Sequence, residues 1–249
     1  MPRIDLNCDL GEGAGQDAGL MPLVTSASIA CGAHAGDEAT MRATVELALR
    51  HGVAIGAHPG FADREHFGRR ELPVTPAGVH QLVLTQTRAL QAVARACGGN
   101  VAYVKPHGAL YNIAARDAAL ARAVAEAVYA ADPRLILFGL SGSRLIEAGR
   151  ARGLKVAREG FADRTYQPDG SLTPRAQPGA MIEDCHAAVA QVCQMVTEGT
   201  VIAGDGSRVP LAADTVCLHG DGRYAVEFAT QLRAALQRAG IAFGPPGDR

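Results

Sequence analysis

The feature that most constrains the fold of this chain is a regular alternation of short apolar segments with longer amphipathic ones. The short segments are bounded by Gly or Pro and read RIDLNCD, SASIAC, VAIGAH, VAYVKPH, LILFG, LKVARE and DTVCLH. Strands that alternate with helices favour a parallel sheet, and repeated right-handed crossovers can close such a sheet into a barrel. The sequence therefore predicts an α/β fold in which residues 1–249 form a single domain, a seven-stranded β/α barrel similar to a TIM barrel.

Helix signals separate these strands. One helix is predicted to begin after Asp37, a residue suited to cap a helix N-terminus, and to end at Gly52. A second is predicted to begin with Thr75 and Pro76 and to close at Gly98. Further helices are predicted in RDAALARAVAEAVYA, SRLIEAGRARG, AMIEDCHAAVAQVCQMVTEG and YAVEFATQLRAALQRAG.

Two segments depart from the alternation. The glycine-rich stretch LGEGAGQDAGLMPLVTS joins the first two strands without an evident helix. It is either a functional loop or a sign that the strands are miscounted. The segment TVIAGDGSRVPL predicts a hairpin with its turn at Gly204 to Gly206.

The charge balance excludes some classes of partner. The chain has 24 Lys and Arg residues against 25 Asp and Glu residues, so no net field attracts nucleic acid or an anionic membrane. A small neutral or anionic ligand fits better. No signal core and no stretch of about 18 apolar residues is evident, so we expect a cytoplasmic protein. The six cysteines form no C-x-x-C pair, which predicts reduced, buried thiols.

Polar residues gather where the predicted strands end. In parallel α/β folds the carboxyl ends of the strands converge on one face, and active sites are built there. The four histidines that lie on predicted helices or in an extended loop are predicted to be structural or solvated: His51, His66, His80 and His186. The strand-end residues are the candidates for function: Asn7, Asp9, Glu12, His34, His58, Lys105, His107, Glu159, His219 and Asp221.

The pentapeptide GFADR occurs twice, at 60–64 and at 160–164. Each copy follows a predicted strand, so both are expected on the face that carries the site. Arg64 and Arg164 could then reach a substrate carboxylate. The alternative is that so short a repeat is coincidence.

Several established motifs are missing. The sequence contains no G-x-x-x-x-G-K-[ST], no H-E-x-x-H and no G-x-S-x-G. The turns GDGRYA and GLSGSR could still bind phosphate through backbone N–H groups. Asp9, His34 and His58 could together hold a metal ion. For Lys105, a buried structural ion pair is the alternative to a catalytic role.

Five longer motifs, in order along nearly the whole chain, carry a specific resemblance. DLNCDLGEG, SIACGAHAGD, GAHPGFAD, VKPHGALYN and CLHGDG resemble the LamB/YcsF family. The resemblance implies a barrel of the glycoside hydrolase/deacetylase type. It also implies the reaction of the ATP-dependent 5-oxoprolinase, in which 5-oxo-L-proline, ATP and water give L-glutamate, ADP and phosphate. The implied cofactor is ATP with Mg²⁺, and the implied partners are two further subunits, B and C. The H-x-x-x-H metal pair of the deacetylases is not present, so no metal ligand is assigned.

The resemblance implies that Asp9, His34, His58, Lys105, His107 and His219 belong to the active site, and the chemistry of ATP-coupled lactam opening suggests roles for the candidate residues. Lys105 is expected at the transferring phosphoryl group, while acid and base roles fall to His58, His107 and Asp9. The remaining residues are expected to bind substrate: Asn7, Glu12, His34, Arg64, Glu159, Arg164, His219 and Asp221.

Two alternatives stay open at this point. The chain could be a metal-dependent amide hydrolase or deacetylase that acts alone. It could also be a non-catalytic subunit that binds 5-oxoproline and delivers it to subunits B and C.

Overall fold

A computed structural model describes residues 2–219 and 224–247. Its strands are β1 (Arg3–Leu10), β2 (Ser26–Ala30), β3 (Ala54–His58), β4 (Val101–Val104), β5 (Ile136–Leu140), β6 (Lys155–Phe161), β7 (Thr200–Ile202), β8 (Arg208–Pro210), β9 (Thr215–Leu218) and β10 (Ala242–Phe243).

Seven of these strands form a closed parallel barrel. The order is β1-β2-β3-β4-β5-β6-β9, and pairing of β9 with β1 closes the ring. The predicted seven-stranded barrel is therefore confirmed. Strands β7 and β8 form the predicted antiparallel hairpin outside it. Strand β10, which the sequence did not predict, pairs with the first residues of β1.

The helices are α1 (Asp17–Leu20), α2 (Glu38–His51), α3 (Pro76–Ala96), α4 (Gly108–Arg116), α5 (Ala118–Ala131), α6 (Arg144–Arg152), α7 (Cys185–Glu198) and α8 (Ala225–Arg238). The predicted caps are confirmed, since the side chain of Asp37 accepts from the Thr40 N–H, and that of Thr75 from the Gly78 N–H. In the ranges that the structure describes, no helix has both the length and the apolarity to cross a bilayer.

Three helices differ from the prediction. The four-residue helix α1 was not predicted. Helix α4 was missed, because it lies between the strand predicted to end at His107 and the helix predicted to begin at Arg116. Helix α7 begins at Cys185 rather than near Ala180, because Asp184 caps it by accepting from the Ala187 N–H.

The glycine-rich stretch after β1 is a structured loop, so the strand count was right. Asp17 Oδ2 accepts from the Gly11 N–H at 2.8 Å and from the Thr44 hydroxyl at 3.3 Å. These bonds tie the loop to α2. The loop carries Glu12 over the carboxyl end of the barrel.

The cysteines only partly match their prediction. Cys8, Cys31 and Cys217 are buried, whereas Cys97, Cys185 and Cys193 are partly exposed. All six are free thiols. The partly exposed ones lie on or beside helices that face solvent on one side.

The two faces of β1 explain how one strand serves both core and site. Ile4, Leu6, Cys8 and Leu10 are buried in the main apolar core, while Asp5, Asn7 and Asp9 alternate with them. Because side chains alternate across a strand, the three polar residues share the inner face of the barrel. In this order, Asp5, Asn7 and Asp9 lie progressively closer to the carboxyl end of the barrel.

The base of the barrel interior is filled by an aromatic pair and a polar cluster. The rings of Tyr103 and Phe138 stack with centroids 4.0 Å apart. A Cβ at Gly56 would lie 2.1 Å from Tyr103, so a glycine is required for the ring to fit. Beside them Asp5, which is buried, accepts hydrogen bonds from the hydroxyls of Thr25, Ser26 and Thr215.

We expect the pH dependence of stability to report on Asp5. Burial raises the pKa of Asp5 from its ordinary 3.8 to about 6, against the opposing effect of the three hydroxyls. The folded protein therefore holds this proton more tightly than the unfolded chain does. Asp5 contributes stability that is fully present below about pH 4 and is lost as the pH rises through about 6, on the order of 3 kcal/mol in total.

Urea unfolding of the native chain and of Asp5→Asn at several pH values measures this contribution. The asparagine does not titrate, so the free energy of unfolding of the native chain, minus that of the variant, should fall between about pH 4 and 7. A difference that stays constant over this range would contradict the shift.

Candidate active site

The carboxyl ends of the barrel strands surround a cleft of about 1040 Å³. Parallel strands bring the residues that follow them to the same face, which is why residues distant in sequence meet here. The predicted site residues that line the cleft are Asp9, Glu12, His58, Lys105, His107, Arg164 and His219.

Lys105 is the buried cation at the floor of this cleft. Its Nζ lies 2.9 Å from Asp9 Oδ1, 2.9 Å from Glu159 Oε1 and 3.0 Å from Asn7 Oδ1. Cys217 Sγ is a fourth neighbour at 3.1 Å. These acceptors use all three N–H groups of the ammonium. Lys105 therefore holds a charge network together and has no free donor for a ligand.

The charges in this network reinforce one another. Burial alone would lower the pKa of Lys105, but Asp9 and the other anionic neighbours raise it well above its usual value. Burial alone would likewise raise the pKa of Asp9, but His58 and Lys105 hold it well below its usual value. Burial raises the pKa of Cys217, so this thiol meets Lys105 in its neutral form. At neutral pH the floor therefore contains an ammonium beside the ionised carboxylate of Asp9.

A histidine cluster forms a second part of the site. His58 Nε2 and His107 Nδ1 are 2.9 Å apart, and the rings of His34 and His107 stack at 3.7 Å with an interplanar angle of 1°. Glu12 Oε1 lies 3.0 Å from His34 Nε2 and 3.3 Å from His107 Nδ1. Burial lowers the pKa of His34 to about 4 and that of His107 well below its usual value. Both rings are therefore neutral at physiological pH.

Two backbone carbonyls orient the histidines. His58 Nδ1 lies 2.8 Å from Lys105 O, and His107 Nε2 lies 2.8 Å from Phe67 O. A carbonyl can only accept, so each of these ring nitrogens carries a proton and donates it. Phe67 has a left-handed conformation with φ 55°, which non-glycine residues seldom adopt. The unusual backbone at Phe67 thus serves to aim its carbonyl at His107.

The first copy of GFADR builds the loop that contains Phe67. Asp63 O accepts from the Gly68 N–H at 2.8 Å, and Arg64 donates to the carbonyls of Gly32 and Gly36. A Cβ at Gly68 would lie 2.8 Å from His34 Cβ. The loop therefore packs directly on the histidine cluster and anchors the segment that carries His34.

The second copy of GFADR holds another histidine. Asp163 Oδ2 accepts from the backbone N–H of His219 at 2.9 Å and lies 2.8 Å from His219 Nδ1. The Phe161 ring stacks on His219 with centroids 5.8 Å apart. An imidazole fixed by a carboxylate at Nδ1 keeps Nε2 for proton exchange, which is the arrangement of a general base. Each copy of the repeat thus positions a histidine of the site.

Comparison with known proteins identifies the family of this chain. A family model described as the LamB/YcsF family matches residues 4–248. The chain belongs to the LamB/YcsF family. The resemblance seen in the sequence motifs is therefore confirmed.

Similar proteins span the full length of this LamB/YcsF chain. A Geobacillus thermodenitrificans protein, named as the A subunit of 5-oxoprolinase, is 56% identical, over 97% of this chain and 96% of its own. A Bordetella pertussis protein of the same name is 56% identical, over 97% and 98%. The crystal structure of the lactam utilization protein from Thermus thermophilus has a TM-score of 0.90 at 46% identity, covering 97% of this chain and 99% of that one.

The structure separates the predicted substrate-binding residues of this LamB/YcsF protein into groups. Glu12, Arg164 and His219 line the cleft. Asn7, Glu159 and His34 are buried around Lys105 and His107 and act through them. Asp221 and most of the GDGRYA turn lie outside the described residues.

The placement of Arg64 does not support a substrate-binding role. Its guanidinium binds the carbonyls of Gly32 and Gly36 rather than the cleft. Arg164 lines the cleft but donates to the carbonyls of Thr173 and Ala180. It therefore orders the segment after β6, and only part of its surface faces a ligand.

The sequence did not predict the arginine side chains that lie at the mouth of the cleft. Arg69, Arg116 and Arg175 line it, and Arg116 forms a bidentate pair with Glu71. None of these residues follows a strand directly, so the strand-end rule could not find them. Only their positive charge, unusual near a predicted site, could have suggested them.

We expect Lys105→Met to destabilise the protein by about 3–5 kcal/mol, because the variant leaves buried carboxylates without their cation. The sequence offers a matched control, since the only other lysine is Lys155, which is exposed at the start of β6. Lys155→Met should change the free energy of unfolding in urea by less than about 0.5 kcal/mol. Equal effects of the two substitutions would contradict the central place of Lys105.

Proposed function

We propose that this chain is the A subunit of a 5-oxoprolinase and contains the site where the lactam of 5-oxo-L-proline is opened to L-glutamate. The proposal rests on one observation. Asp9, His58, Lys105, His107 and His219 line one cleft in a chain that is 56% identical to proteins named as the A subunit of that enzyme.

Opening the lactam ring requires a source of free energy, because the open chain closes readily. Lactam formation is intramolecular, so the closed ring has an effective-molarity advantage that water must overcome. Coupling to ATP supplies the drive if the lactam oxygen is phosphorylated, because the activated ring carbon then accepts water. We infer that this coupling occurs in the assembled enzyme with Mg²⁺ and with partner subunits B and C.

His219 is suited to move the proton during ring opening. Water adds to the activated ring carbon and the C–N bond breaks, which leaves an acyl phosphate that a second water hydrolyses to the carboxylate and phosphate. The proton lost by the first water must reach the departing nitrogen. His219, fixed by Asp163 through Nδ1, accepts this proton at Nε2 and returns it to the amine. Asp9, kept ionised beside Lys105, accepts a hydrogen bond from the attacking water.

We assign anion binding to arginines at the mouth of the cleft rather than to Lys105. The N–H groups of Lys105 are fully engaged, which revises its expected contact with a phosphoryl group. Arg69 and Arg175 are exposed and line the cleft. Guanidinium groups bind carboxylates and phosphates in bidentate fashion. We assign to them the carboxylate of the substrate or a phosphoryl oxygen.

A second candidate function is an amide hydrolase that uses a metal ion and acts alone. The observation that favours it is the group of Glu12, His34, His58 and His107, whose potential ligand atoms all lie within 4.8 Å of one another. Such an enzyme would open the lactam or another amide without ATP. A binding subunit without catalysis is the third reading, and it predicts that His219 is dispensable for turnover.

The test is formation of glutamate and ADP from 5-oxo-L-proline and Mg-ATP. The chain is assayed by itself and together with subunits B and C whose competence has been shown with a related protein in the place of this chain. We expect both products in equal amounts from the mixture. His219→Gln should lower kcat by roughly 10²–10⁴-fold, the usual contribution of a general base.

The matched control is His186→Gln, because the His186 side chain is fully exposed and far from any role in the cleft. Full turnover by His219→Gln would favour the binding-subunit reading. Glutamate formed by the chain alone without ATP would favour the second candidate. No product from the mixture would refute the proposed substrate.

A further inference from the structure

We propose that Glu12, His34, His58 and His107 form a binding site for one divalent transition-metal ion of the Zn²⁺ type. The ligand atoms are Glu12 Oε1, His34 Nε2, His58 Nε2 and His107 Nδ1. The proposal concerns metal binding by this chain and stands independently of lactam opening.

The tautomers of two histidines carry the argument. His58 donates to Lys105 O through Nδ1, and His107 donates to Phe67 O through Nε2. A neutral imidazole that donates through one nitrogen has its lone pair on the other, which here is His58 Nε2 in one ring and His107 Nδ1 in the other. These two lone pairs face each other at 2.9 Å, an arrangement that requires a cation between or beside them.

Glu12 adds a third electron-rich atom at the same point. Its Oε1 lies 3.3 Å from His107 Nδ1 and 3.8 Å from His58 Nε2. His34 Nε2 is a further neighbour of this oxygen at 3.0 Å. The four atoms thus converge on one small volume.

The separations suit a small ion. A tetrahedral ion with ligands at about 2.0–2.1 Å separates its ligand atoms by roughly 3.3 Å. Four of the six distances among these atoms, from 2.9 to 3.8 Å, bracket this value, and all six are within 4.8 Å. Three imidazoles and one carboxylate suit Zn²⁺ and similar ions, whereas Mg²⁺ prefers oxygen ligands.

The surroundings hold the ligands in place before an ion binds. Metal-binding histidines usually donate their second N–H to a carbonyl or carboxylate, which fixes the tautomer. His58 and His107 do so through Lys105 O and Phe67 O. The left-handed backbone at Phe67 is thereby explained as part of the site. His34 is the exception, because its Nδ1 has no partner among the described residues and its ring stacks parallel to that of His107. Two parallel rings cannot both direct an in-plane lone pair at one ion, so the His34 ring must turn when it binds.

The site has an open side. Glu12, His58 and His107 line the cleft, whereas His34 is buried behind them. An ion held by these ligands would face the cleft and could bind water or a ligand oxygen there.

A neighbouring group of potential ligands is a poorer candidate. Asp9, Cys217 and His219 also lie within 4.8 Å of one another. There, however, Lys105 Nζ already lies 2.9 Å from Asp9 and 3.1 Å from Cys217. The ammonium supplies the positive charge at that point, and a metal ion would have to displace it.

The test measures metal retained by the purified chain, with no turnover involved. The protein is stripped with a chelator, loaded with Zn²⁺ and dialysed, and its zinc content is determined by mass spectrometry. We expect one equivalent. Glu12→Gln keeps the shape of the side chain but removes its charge, and it should weaken binding by roughly 100-fold or more, since even outer residues of metal sites contribute 10–100-fold.

Three variants serve as controls. Glu65→Gln and His186→Ala remove exposed groups of the same types, and Cys217→Ser removes a ligand of the rival group. All three should retain one equivalent. Far-UV circular dichroism checks that Glu12→Gln is folded, and bound Co²⁺ should show the intense visible absorption of a four- or five-coordinate ion.

Zinc-free protein after loading would overturn the proposal and would leave a shared proton as the cation between His58 and His107. Retention by Glu12→Gln equal to the native chain, or loss with Cys217→Ser alone, would also overturn it. A six-coordinate Co²⁺ spectrum would indicate a different site. Lactam opening by metal-free protein would refute a metal requirement while leaving the proposed function intact, so the two proposals can fail separately.

Discussion

The ammonium of Lys105 is the interaction on which the rest of the site depends. It contacts residues from β1, β6 and β9, and therefore fastens three strands of the barrel at the level of the cleft. Carboxylates on these strands would repel one another without it, and burial would favour their protonation. The ion network thus fixes both the closure of the barrel at this end and the charge of Asp9.

The same lysine links the two parts of the site. Its side chain holds Asp9 and Glu159, and its backbone carbonyl accepts the proton of His58 Nδ1. The orientation of the histidine cluster therefore depends on the strand that carries the ammonium. Displacement of β4 by a fraction of an ångström would alter both parts together.

The sequence predicted the barrel well because its signals are local. Short apolar strands, Asp37 and Thr75 as caps, and Gly52 as a helix end are all encoded within a few residues. Helix α4 was missed because it starts immediately after His107, the last residue of the predicted strand. The apolar pattern of one segment does not show where the next segment begins.

The site was predicted as a set of residues but not as an arrangement. The strand-end rule found the histidines, Lys105 and Glu12, yet it grouped Asp9 with His34 and His58 as metal ligands. Distances show that Asp9 contacts both Lys105 and His58, and that Glu12, from a glycine-rich loop, lies among all three histidines of the cluster. Sequence spacing cannot distinguish these pairings. Nor could it reveal that the Phe67 carbonyl accepts from His107 while its ring packs edge-to-face on His34 and His107, because residue type does not determine backbone direction.

The polar inner face of β1 gives the barrel interior a consistent direction of polarisation. Lys105 donates to Asn7, the Asn7 amide donates to Thr215, and the Thr215 hydroxyl donates to Asp5. Each donor in this series points away from the cleft and toward the base of the barrel. Hydrogen bonds aligned in one direction strengthen one another, so the base of the barrel supplies an oriented set of dipoles that supports the positive charge beneath the cleft.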